Sequence, residues 1–301
     1  MLTLFNLDPL HPLFHSLCQA LNAEAGILTQ RQFPDDESYL RIEQDVAQQD
    51  IFILATLDRP NEKFLPLIFL ADTLKELGAK SVSVIAPYLS YMRQDCRFHA
   101  GEAITSRSFA QSLSRHIDGL ITVDPHLHRY HNLNEIYSVP AIAVSAEAVL
   151  AERLTGYGKN TVLVGPDAES AQWLQRLSEY SGLPYVVGEK QRLGDRSVKI
   201  VLPDMSAYQN YTAVMMDDVV SSGQTLLQCL AELRKQGIQT VDCLAVHGIF
   251  VDQVDEQLKQ QGLRQLITTN SIGHPSNGVD LTPVLKEAVM ELQELMYGRI
   301  A

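Results

Sequence analysis

The sequence predicts an α/β fold with two domains, each a mostly parallel sheet flanked by helices. Short apolar runs alternate with amphipathic stretches along the chain, and this alternation is typical of parallel sheets. The length of 301 residues is about twice that of a typical domain of ~150 residues. The two halves also match each other in places. Together these observations predict one α/β unit that has been duplicated.

Strands are predicted where the apolar runs are short and β-rich. Between them, residues 65–78 and 222–237 carry leucines at three- and four-residue spacing and end in glycine, which is typical of amphipathic helices. Two more helices are predicted shortly after residues 143 and 280. The predicted strands are residues 51–56, 81–88, 120–124, 161–167, 213–218, 240–248 and 265–270.

An internal match between the halves supports the duplication. Residues 78–88 (GAKSVSVIAPY) match residues 237–247 (GIQTVDCLAVH), and each segment follows a leucine-rich helix. Residues 119–126 (GLITVDPH) are also similar to residues 265–274 (QLITTNSIGH). Chance similarity among α/β units is the alternative reading.

The match also sets the expected domain limits. We expect an N-terminal domain over residues 1–142 and a C-terminal domain over residues 143–285. The last helix, within residues 286–301, is expected to pack back on the first domain.

Composition and charge exclude several classes of protein. With 46% hydrophobic and 20% charged residues, the chain is neither disordered nor collagen-like. The formal net charge is −12, so we expect no bulk attraction to nucleic acid or to an anionic membrane. Any phosphate-bearing ligand must therefore be held by a few placed donors.

Cysteine spacing and the N-terminal residues favour a cytoplasmic protein. Cys18, Cys96, Cys229 and Cys243 lie far apart and form no Cys-x-x-Cys pair, so free, buried thiols are expected. The chain starts without a basic segment or a small-residue cleavage site, and no apolar run approaches the ~18 residues of a membrane span.

The most informative stretch is an apolar strand that ends in two aspartates. The next residues carry hydroxyls and a glycine and lead into a helix. Such a loop presents free backbone N–H groups and the positive end of a helix dipole, which suits a phosphate monoester, and the aspartates suit sugar hydroxyls or a metal. A tight strand-to-helix turn with hydroxyl caps is the alternative. The candidate binding residues are Asp217, Asp218, Ser221, Ser222, Gly223, Gln224 and Thr225.

This loop resembles the phosphoribosyl pyrophosphate loop of the type I phosphoribosyltransferase fold. Further motifs occur in the order seen in ribose-phosphate pyrophosphokinases, also called phosphoribosyl pyrophosphate synthetases, and the resemblance covers nearly the whole chain. Ser221 and the segment GEAITSR at 101–107 are more similar to the class III subgroup. The motifs are residues 33–37, 41–43, 87–88, 91–95, 124–126, 165–168, 190–192 and 247–250.

The resemblance implies two tandem type I phosphoribosyltransferase-like domains and a diphosphoryl transfer. The anomeric hydroxyl of ribose 5-phosphate attacks the β-phosphorus of Mg-ATP, and AMP leaves. It also implies Mg²⁺ as the cofactor and a homo-oligomer, a dimer or larger. Such a transfer depends on alignment and charge neutralisation, because it leaves little covalent work to the protein.

The resemblance assigns roles to residues outside the loop as well. Lys190 and Arg192 are implied to swing over the β-phosphate as catalytic cations, and His126 and Asp167 are implied to be metal-associated. The implied ATP-binding residues are Phe33, which stacks on the adenine, and Asp35, Glu37, Arg93, Gln94 and Asp95.

The residues alone leave plainer readings open. Phe33 alone is equally consistent with a core aromatic, and Arg93 with a surface ion pair to Asp95. His126 alone fits an ordinary core or loop histidine, and residues 188–199 fit a solvated hairpin.

Four positions depart from the family pattern, because they carry side chains where glycine is usual. A non-glycine residue that needs a positive φ costs roughly 1 kcal/mol or more. These departures keep open the alternative of a non-catalytic regulatory paralogue of the synthetase. A second alternative is a phosphoribosyltransferase that acts on a base, against which the duplicated architecture and the element at residues 93–95 count. The positions are Asp36, Glu169, Ser170 and Gln224.

Overall fold

A computed structural model describes residues 1–192 and 198–298. The chain divides into two units. The N-terminal unit comprises residues 1–145, 271–273 and the segment from 281 onward, and the C-terminal unit comprises residues 146–270 and 274–280.

The N-terminal unit contains a six-stranded parallel sheet in the order β2-β1-β5-β6-β7-β8 and an antiparallel hairpin, β3–β4. Its strands are β1 (Leu2–Asn6), β2 (Glu24–Ala25), β3 (Leu28–Gln32), β4 (Ser38–Ile42), β5 (Asp50–Leu54), β6 (Ser81–Ala86), β7 (Gly119–Val123) and β8 (Ala141–Val144). Its first three helices are α1 (Leu13–Leu21), α2 (Pro60–Glu76) and α3 (Thr105–Leu113).

The C-terminal unit contains a second six-stranded parallel sheet, in the order β10-β9-β13-β14-β15-β16, and a second hairpin, β11–β12. Its strands are β9 (Thr161–Gly165), β10 (Tyr185–Val187), β11 (Glu189–Arg192), β12 (Val198–Val201), β13 (Thr212–Val220), β14 (Thr240–Gly248), β15 (Gln265–Thr269) and β16 (Asn277–Val279). Its helices are α4 (Glu147–Leu154), α5 (Ala171–Ser181), α6 (Gln224–Lys235) and α7 (Val254–Gln260).

The last helix, α8 (Thr282–Tyr297), belongs to the N-terminal unit and packs against α1, β7 and β8. Gly119 allows this close approach, because a Cβ at that position would lie 2.8 Å from Leu292 Cδ2. Leu285 and Leu292 of the helix are fully buried. A glycine at the start of β7 therefore lets the helix sit directly on the sheet.

The two sheets have the same topology, and each hairpin follows the second strand of its unit. The sequence match between residues 78–88 and 237–247 pairs β6 with β14, and the second match pairs β7 with β15. These strands occupy equivalent positions in the two sheets. The predicted α/β fold with two sheets flanked by helices is confirmed.

The central strands explain why the sequence shows continuous apolar runs. Every residue of β6 and of β7 is buried, which is typical of parallel strands covered on both faces. Helix α2 starts at Pro60, five residues before the predicted segment, because proline is well tolerated in a first helical turn. Strand β13 continues to Val220, two residues beyond the aspartate pair.

All four cysteines are free. Cys229 and Cys243 are buried, whereas Cys18 and Cys96 are half-buried, so the expectation of buried thiols is correct for two of the four. Within residues 1–192 and 198–298, none of the helices combines the length and the apolar character needed to cross a bilayer.

Candidate active site

The aspartate-bearing strand β13 leads into a short loop and then into helix α6. Gly223 caps this helix with φ +61°, and Leu227 N–H donates the first helical hydrogen bond to the Gly223 carbonyl. The backbone N–H groups of the first helical turn have no acceptor within the helix. Ser222 and Gln224 are exposed, and Ser221 and Thr225 are half-buried, so the loop presents hydroxyls together with these N–H groups.

Backbone contacts fix the candidate phosphate-binding loop, residues 221–225, from the other side. Ile249 and Phe250 N–H donate to the Val220 carbonyl, and Val251 N–H donates to the Ser221 carbonyl at 3.0 Å. A Cβ on Gly223 would lie 2.3 Å from Val254 Cγ2. The loop is therefore held closely against the start of α7.

The two aspartates lie near a third, Asp167, in a cluster that disfavours the charged form of Asp217. Burial raises the pKa of Asp217 well above its usual range, and the nearby Asp218 and Asp167 carboxylates raise it further. Asp218 Oδ1 accepts a hydrogen bond from Val219 N–H at 2.8 Å. Carboxylates that repel one another in this way favour a bound cation.

Asp167 and Lys190 meet at the same end of this sheet. Asp167 follows β9, and its Oδ1 accepts from Glu169 N–H at 3.1 Å. Lys190 lies on β11, opposite Ile200 of β12, and its Nζ is 3.7 Å from Asp167 Oδ2. The backbone of Arg192 ends β11, but its side chain lies outside the described residues.

The predicted departures from glycine have different structural consequences. Asp36 has φ +67°, so only this one of the four adopts the left-handed conformation that favours glycine. Ser170 donates its hydroxyl to the Asp167 carbonyl at 2.6 Å and thereby stabilises the turn after β9. Gln224 is the first residue of α6 and is exposed. The backbone strain expected at these positions is therefore confined to Asp36.

The hairpin of the N-terminal unit presents an aromatic side chain at its tip. Phe33 is 38% exposed, and its ring meets the Tyr39 ring edge-on, with centroids 6.1 Å apart. The Arg31 guanidinium lies 4.4 Å from each ring centroid. Asp35 and Glu37 are exposed in the turn that follows Phe33. Phe33 is thus a surface side chain, and the alternative of a core aromatic is wrong.

Three consecutive residues after β6 that are predicted to bind ATP together have different environments in the structure. Arg93 is exposed, and the Gln94 side-chain carbonyl accepts from the Thr105 hydroxyl at 3.4 Å. Asp95 is buried, and its Oδ1 accepts from Arg129 at 2.7 Å. The ion pair between Arg93 and Asp95 that the residues alone allowed is therefore not the one formed.

His126 follows β7 and is half-buried. Its ring meets that of His128 edge-on, with centroids 4.2 Å apart. Because β6 and β7 are parallel neighbours, the motifs at residues 91–95 and 124–126 leave the sheet at the same edge. In each unit, the predicted site residues therefore lie near or follow the carboxyl ends of the strands, or lie on the hairpin.

Comparisons with known proteins identify the family. The model for the N-terminal domain of ribose phosphate pyrophosphokinase matches residues 2–116, and the phosphoribosyl transferase domain model matches residues 132–270. A ribose-phosphate pyrophosphokinase from Methanopyrus kandleri is 30% identical over 280 residues, 92% of this chain and 94% of that protein. The chain belongs to the ribose-phosphate pyrophosphokinase family.

Other members of the ribose-phosphate pyrophosphokinase family are also similar to this chain. The ribose-phosphate pyrophosphokinase of Sulfolobus acidocaldarius is 31% identical, over 84% of this chain and 87% of its own length. The crystal structure of phosphoribosylpyrophosphate synthetase from Mycobacterium smegmatis shares the fold, with a TM-score of 0.81 over 98% of both chains at 24% identity. The resemblance stated from the motifs is confirmed.

Three residues that support the candidate site were not predicted from the sequence. Arg31 and Tyr39 are cross-strand partners in the hairpin and flank Phe33. Arg31 could have been predicted, because residues two apart, such as Arg31 and Phe33, share a face of a strand. Arg129 pairs with Asp95 from 34 positions away, and no local pattern indicates such a contact.

The raised pKa of Asp217 predicts a pH-dependent gain in stability on replacing it with asparagine. In the folded, metal-free protein the charged carboxylate is disfavoured, so the stability of the wild type is fully present below the unfolded pKa and falls as pH rises toward the folded pKa. An asparagine side chain at this position mimics the protonated acid. We expect Asp217→Asn to raise Tm at pH 7 to 8 in EDTA, and the gain to disappear near pH 4.

Asp204→Asn is the matched control, because hydrogen bonds from Ser206 lower the pKa of Asp204. Its carboxylate contributes stability above the unfolded pKa, and this is lost as pH falls. The control should therefore lower Tm slightly at neutral pH. Thermal unfolding across pH 4 to 8 measures both variants, and a gain for Asp217→Asn that does not change with pH would contradict this account.

Proposed function

We propose that this protein is an active ribose-phosphate diphosphokinase that transfers the βγ-diphosphoryl group of ATP to ribose 5-phosphate, giving phosphoribosyl pyrophosphate and AMP. The observation that carries the proposal is one edge of the C-terminal sheet, where the 217–218 aspartates, the phosphate-binding loop and Lys190 occur together. Relatives that match over about nine-tenths of the chain carry the corresponding name.

Ribose 5-phosphate is the ligand that we assign to the phosphate-binding loop. Its phosphate would accept hydrogen bonds from the N–H groups of the first α6 turn and from the Ser221, Ser222 and Thr225 hydroxyls. The helix dipole favours the negative charge there. Asp217 and Asp218 lie shortly upstream on β13 and are suited to accept from the ribose hydroxyls.

ATP is the ligand that we assign to the N-terminal unit. The exposed face of Phe33 offers a stacking surface for adenine, and Asp35 and Glu37 lie in the adjoining turn. Exposed Arg93 can contact phosphate oxygens with a fork of donors, and Gln94 adds an amide. For Asp95 we propose an indirect role, because its buried carboxylate holds Arg129.

The donor set of the C-terminal unit fits Mg²⁺. Asp167, Asp217 and Asp218 supply carboxylate oxygens; burial raises the pKa of Asp217, and the two neighbouring carboxylates raise it further. We propose Asp167 as a ligand and, by family resemblance, His126 as a metal-associated residue of the N-terminal unit. Bound Mg²⁺ would neutralise phosphate charge during the transfer.

In the reaction, the anomeric oxygen forms a bond to the β-phosphorus while the bond from that phosphorus to the α,β-bridging oxygen breaks. AMP leaves with the bridging oxygen, and the proton of the sugar hydroxyl is released to solvent. Lys190 Nζ and, by family resemblance, Arg192 at the end of β11 are proposed to neutralise the charge that develops on the transferred group. The 3.7 Å pairing of Lys190 with Asp167 keeps this cation at the site.

We further propose that the functional domains are residues 1–142 and 143–285 and that the protein acts as a homo-oligomer. Large apolar side chains such as Phe69 (46% exposed) and Leu65 (56% exposed) on α2 support association. Mass photometry of the purified protein tests the oligomeric state.

The proposed reaction is tested by incubating the protein with ATP, ribose 5-phosphate and Mg²⁺. We expect AMP and phosphoribosyl pyrophosphate in equal amounts. Nucleotide binding without AMP formation would identify a regulatory paralogue instead. Pyrophosphate release that depends on an added base and phosphoribosyl pyrophosphate would identify a phosphoribosyltransferase.

Replacing Phe33 with alanine is expected to raise KM for ATP about 5- to 150-fold, since stacking of a base on an aromatic ring is worth roughly 1–3 kcal/mol. KM for ribose 5-phosphate should stay within about twofold. Tyr180→Ala, which removes an aromatic side chain that is 74% exposed on α5, is the control and should leave both constants unchanged. Steady-state AMP formation measures them, and an unchanged KM for ATP in Phe33→Ala would remove Phe33 from the nucleotide site.

A further inference from the structure

A cavity lies at the opposite edge of the C-terminal sheet from the candidate active site. Its volume is ≈ 480 Å³, within the range of sites for small molecules. The lining includes the first residues of three parallel strands, Thr161, Thr212 and Gln265. The phosphate-binding loop instead follows the last residue of β13, about 26 Å along that nine-residue strand. This amino-edge cavity is therefore separate from the proposed reaction.

The chemistry of the amino-edge cavity favours anions. Two guanidinium groups, of Arg153 and Arg264, line it, and no carboxylate is among its lining residues in the part of the chain that the structure describes. In a chain with a formal net charge of −12, such a cationic cavity is a local exception. Asn160 and Asn210 add side-chain amides, which can bind polar groups next to an anion.

Arg264 is held in a fixed orientation by groups behind it. Asp242 has no exposed surface, and its two carboxylate oxygens accept from Arg264 Nε at 2.9 Å and Nη2 at 2.6 Å. Tyr157 donates its hydroxyl to the same carboxylate at 3.1 Å. This bidentate pair uses two of the five guanidinium donors and leaves others for a ligand. The side chain remains 50% exposed.

Arg153 supplies the second cation from the last turn of α4. Its guanidinium lies 5.9 Å from the Tyr157 ring centroid, so the two arginines flank the loop that contains Tyr157. Gly156 and Gly158 of this loop also line the cavity, and their lack of side chains leaves room beside the backbone. The arrangement combines a fixed guanidinium, a second cation and small residues around one opening.

We propose that the amino-edge cavity is a binding site for a small oxyanion-bearing molecule, with a phosphate or carboxylate group held between Arg153 and Arg264. Two guanidiniums line the cavity, and one buried carboxylate, that of Asp242, pairs with Arg264 alone. The ligand binds there without taking part in chemistry, because the site residues of the reaction lie at the other edge of the sheet.

Isothermal titration with inorganic phosphate at constant ionic strength tests the site. Phosphate can also bind in the phosphate-binding loop, so a Ser222→Ala/Thr225→Ala variant is titrated in parallel to isolate the amino-edge cavity. We expect this variant to retain a class of phosphate sites that Arg153→Ala weakens about 10-fold or more, as loss of a charge-assisted hydrogen bond implies. Arg264→Lys should weaken it as well, and Lys286→Ala, which removes an exposed cation from α8, should not.

Two results would overturn the proposal. One is a phosphate titration of Arg153→Ala that equals the wild type. The other is complete loss of phosphate binding in the loop variant, which would place all bound phosphate in the loop. If Arg264→Lys does not fold, the reason is that Asp242 loses its bidentate partner. In that case the phosphate titration of Arg153→Ala tests the proposal by itself, because Arg153 forms no ion pair among the described residues.

Discussion

Replacing Lys190 with alanine is expected to lower kcat for AMP formation about 100- to 1,000-fold, while KM for ATP and for ribose 5-phosphate changes little. The reason is that Lys190 is proposed to meet charge that develops only as the diphosphoryl group is transferred. An interaction made only in the transition state contributes to kcat and not to ground-state binding. The 3.7 Å distance to Asp167 shows that the cation reaches this edge of the sheet.

Lys199→Ala is the matched control for this prediction. Lys199 lies on β12 of the same hairpin, is exposed, and is paired in register with Gln191, so its loss tests the effect of removing charge from the hairpin alone. It should retain kcat within about threefold. Steady-state kinetics with both substrates varied separates the outcomes, and a higher KM with unchanged kcat in Lys190→Ala would assign Lys190 to substrate binding instead.

The buried parts of the fold could be predicted from sequence because parallel strands covered on both faces leave continuous apolar runs. Strands β6, β7, β13, β14 and β15 all lie within or close to the predicted segments. The hairpin β3–β4 carries the sequences LTQRQ and SYLRI, which are only partly buried, so no apolar run marks it. Strand β2 has two residues and is too short for any periodicity.

The site could be predicted where chemistry is local in sequence and not where it depends on long-range contacts. The strand, aspartates, loop and helix around residues 213–237 form one continuous segment, so their order alone indicates an anion site. The approach of Lys190 to Asp167 depends on where β11 meets the end of β9. The burial of Asp95 depends on Arg129, and a motif match alone does not show that this acid faces inward.

The shared topology of the two units relates their different proposed roles. Hairpin β3–β4 follows β2 in the first unit, and hairpin β11–β12 follows β10 in the second. The first carries Phe33 at its tip, and the second carries Lys190 on its first strand. An element at one topological position thus presents an aromatic ring in one unit and a cation in the other. This difference is consistent with a base-binding role in one unit and a phosphate-binding role in the other.

Replacing Gly223 with alanine is expected to destabilise the protein by about 2–4 kcal/mol and to abolish detectable AMP formation. A positive φ of +61° costs an alanine roughly 1 kcal/mol, and overpacking typically adds about 1–3 kcal/mol. The added methyl would lie 2.3 Å from Val254 Cγ2, and Val254 is fully buried and stiff at χ1. Relief requires movement of the loop, whose N–H groups are proposed to bind the substrate phosphate.

Gly182→Ala separates the two contributions, because Gly182 has a similar φ of +69° but no neighbour within 4 Å of its added Cβ. This control should cost only about 1 kcal/mol and retain activity. A double variant, Gly223→Ala with Val254→Ala, should lose less free energy of unfolding than the two single variants lose together. We expect the difference to be about 1 kcal/mol or more, because the second change removes the obstructing methyl groups. Urea unfolding of the wild type, the two single variants and the double variant measures this coupling. Strict additivity would mean that backbone strain alone, rather than contact with Val254, requires glycine at this position of the loop.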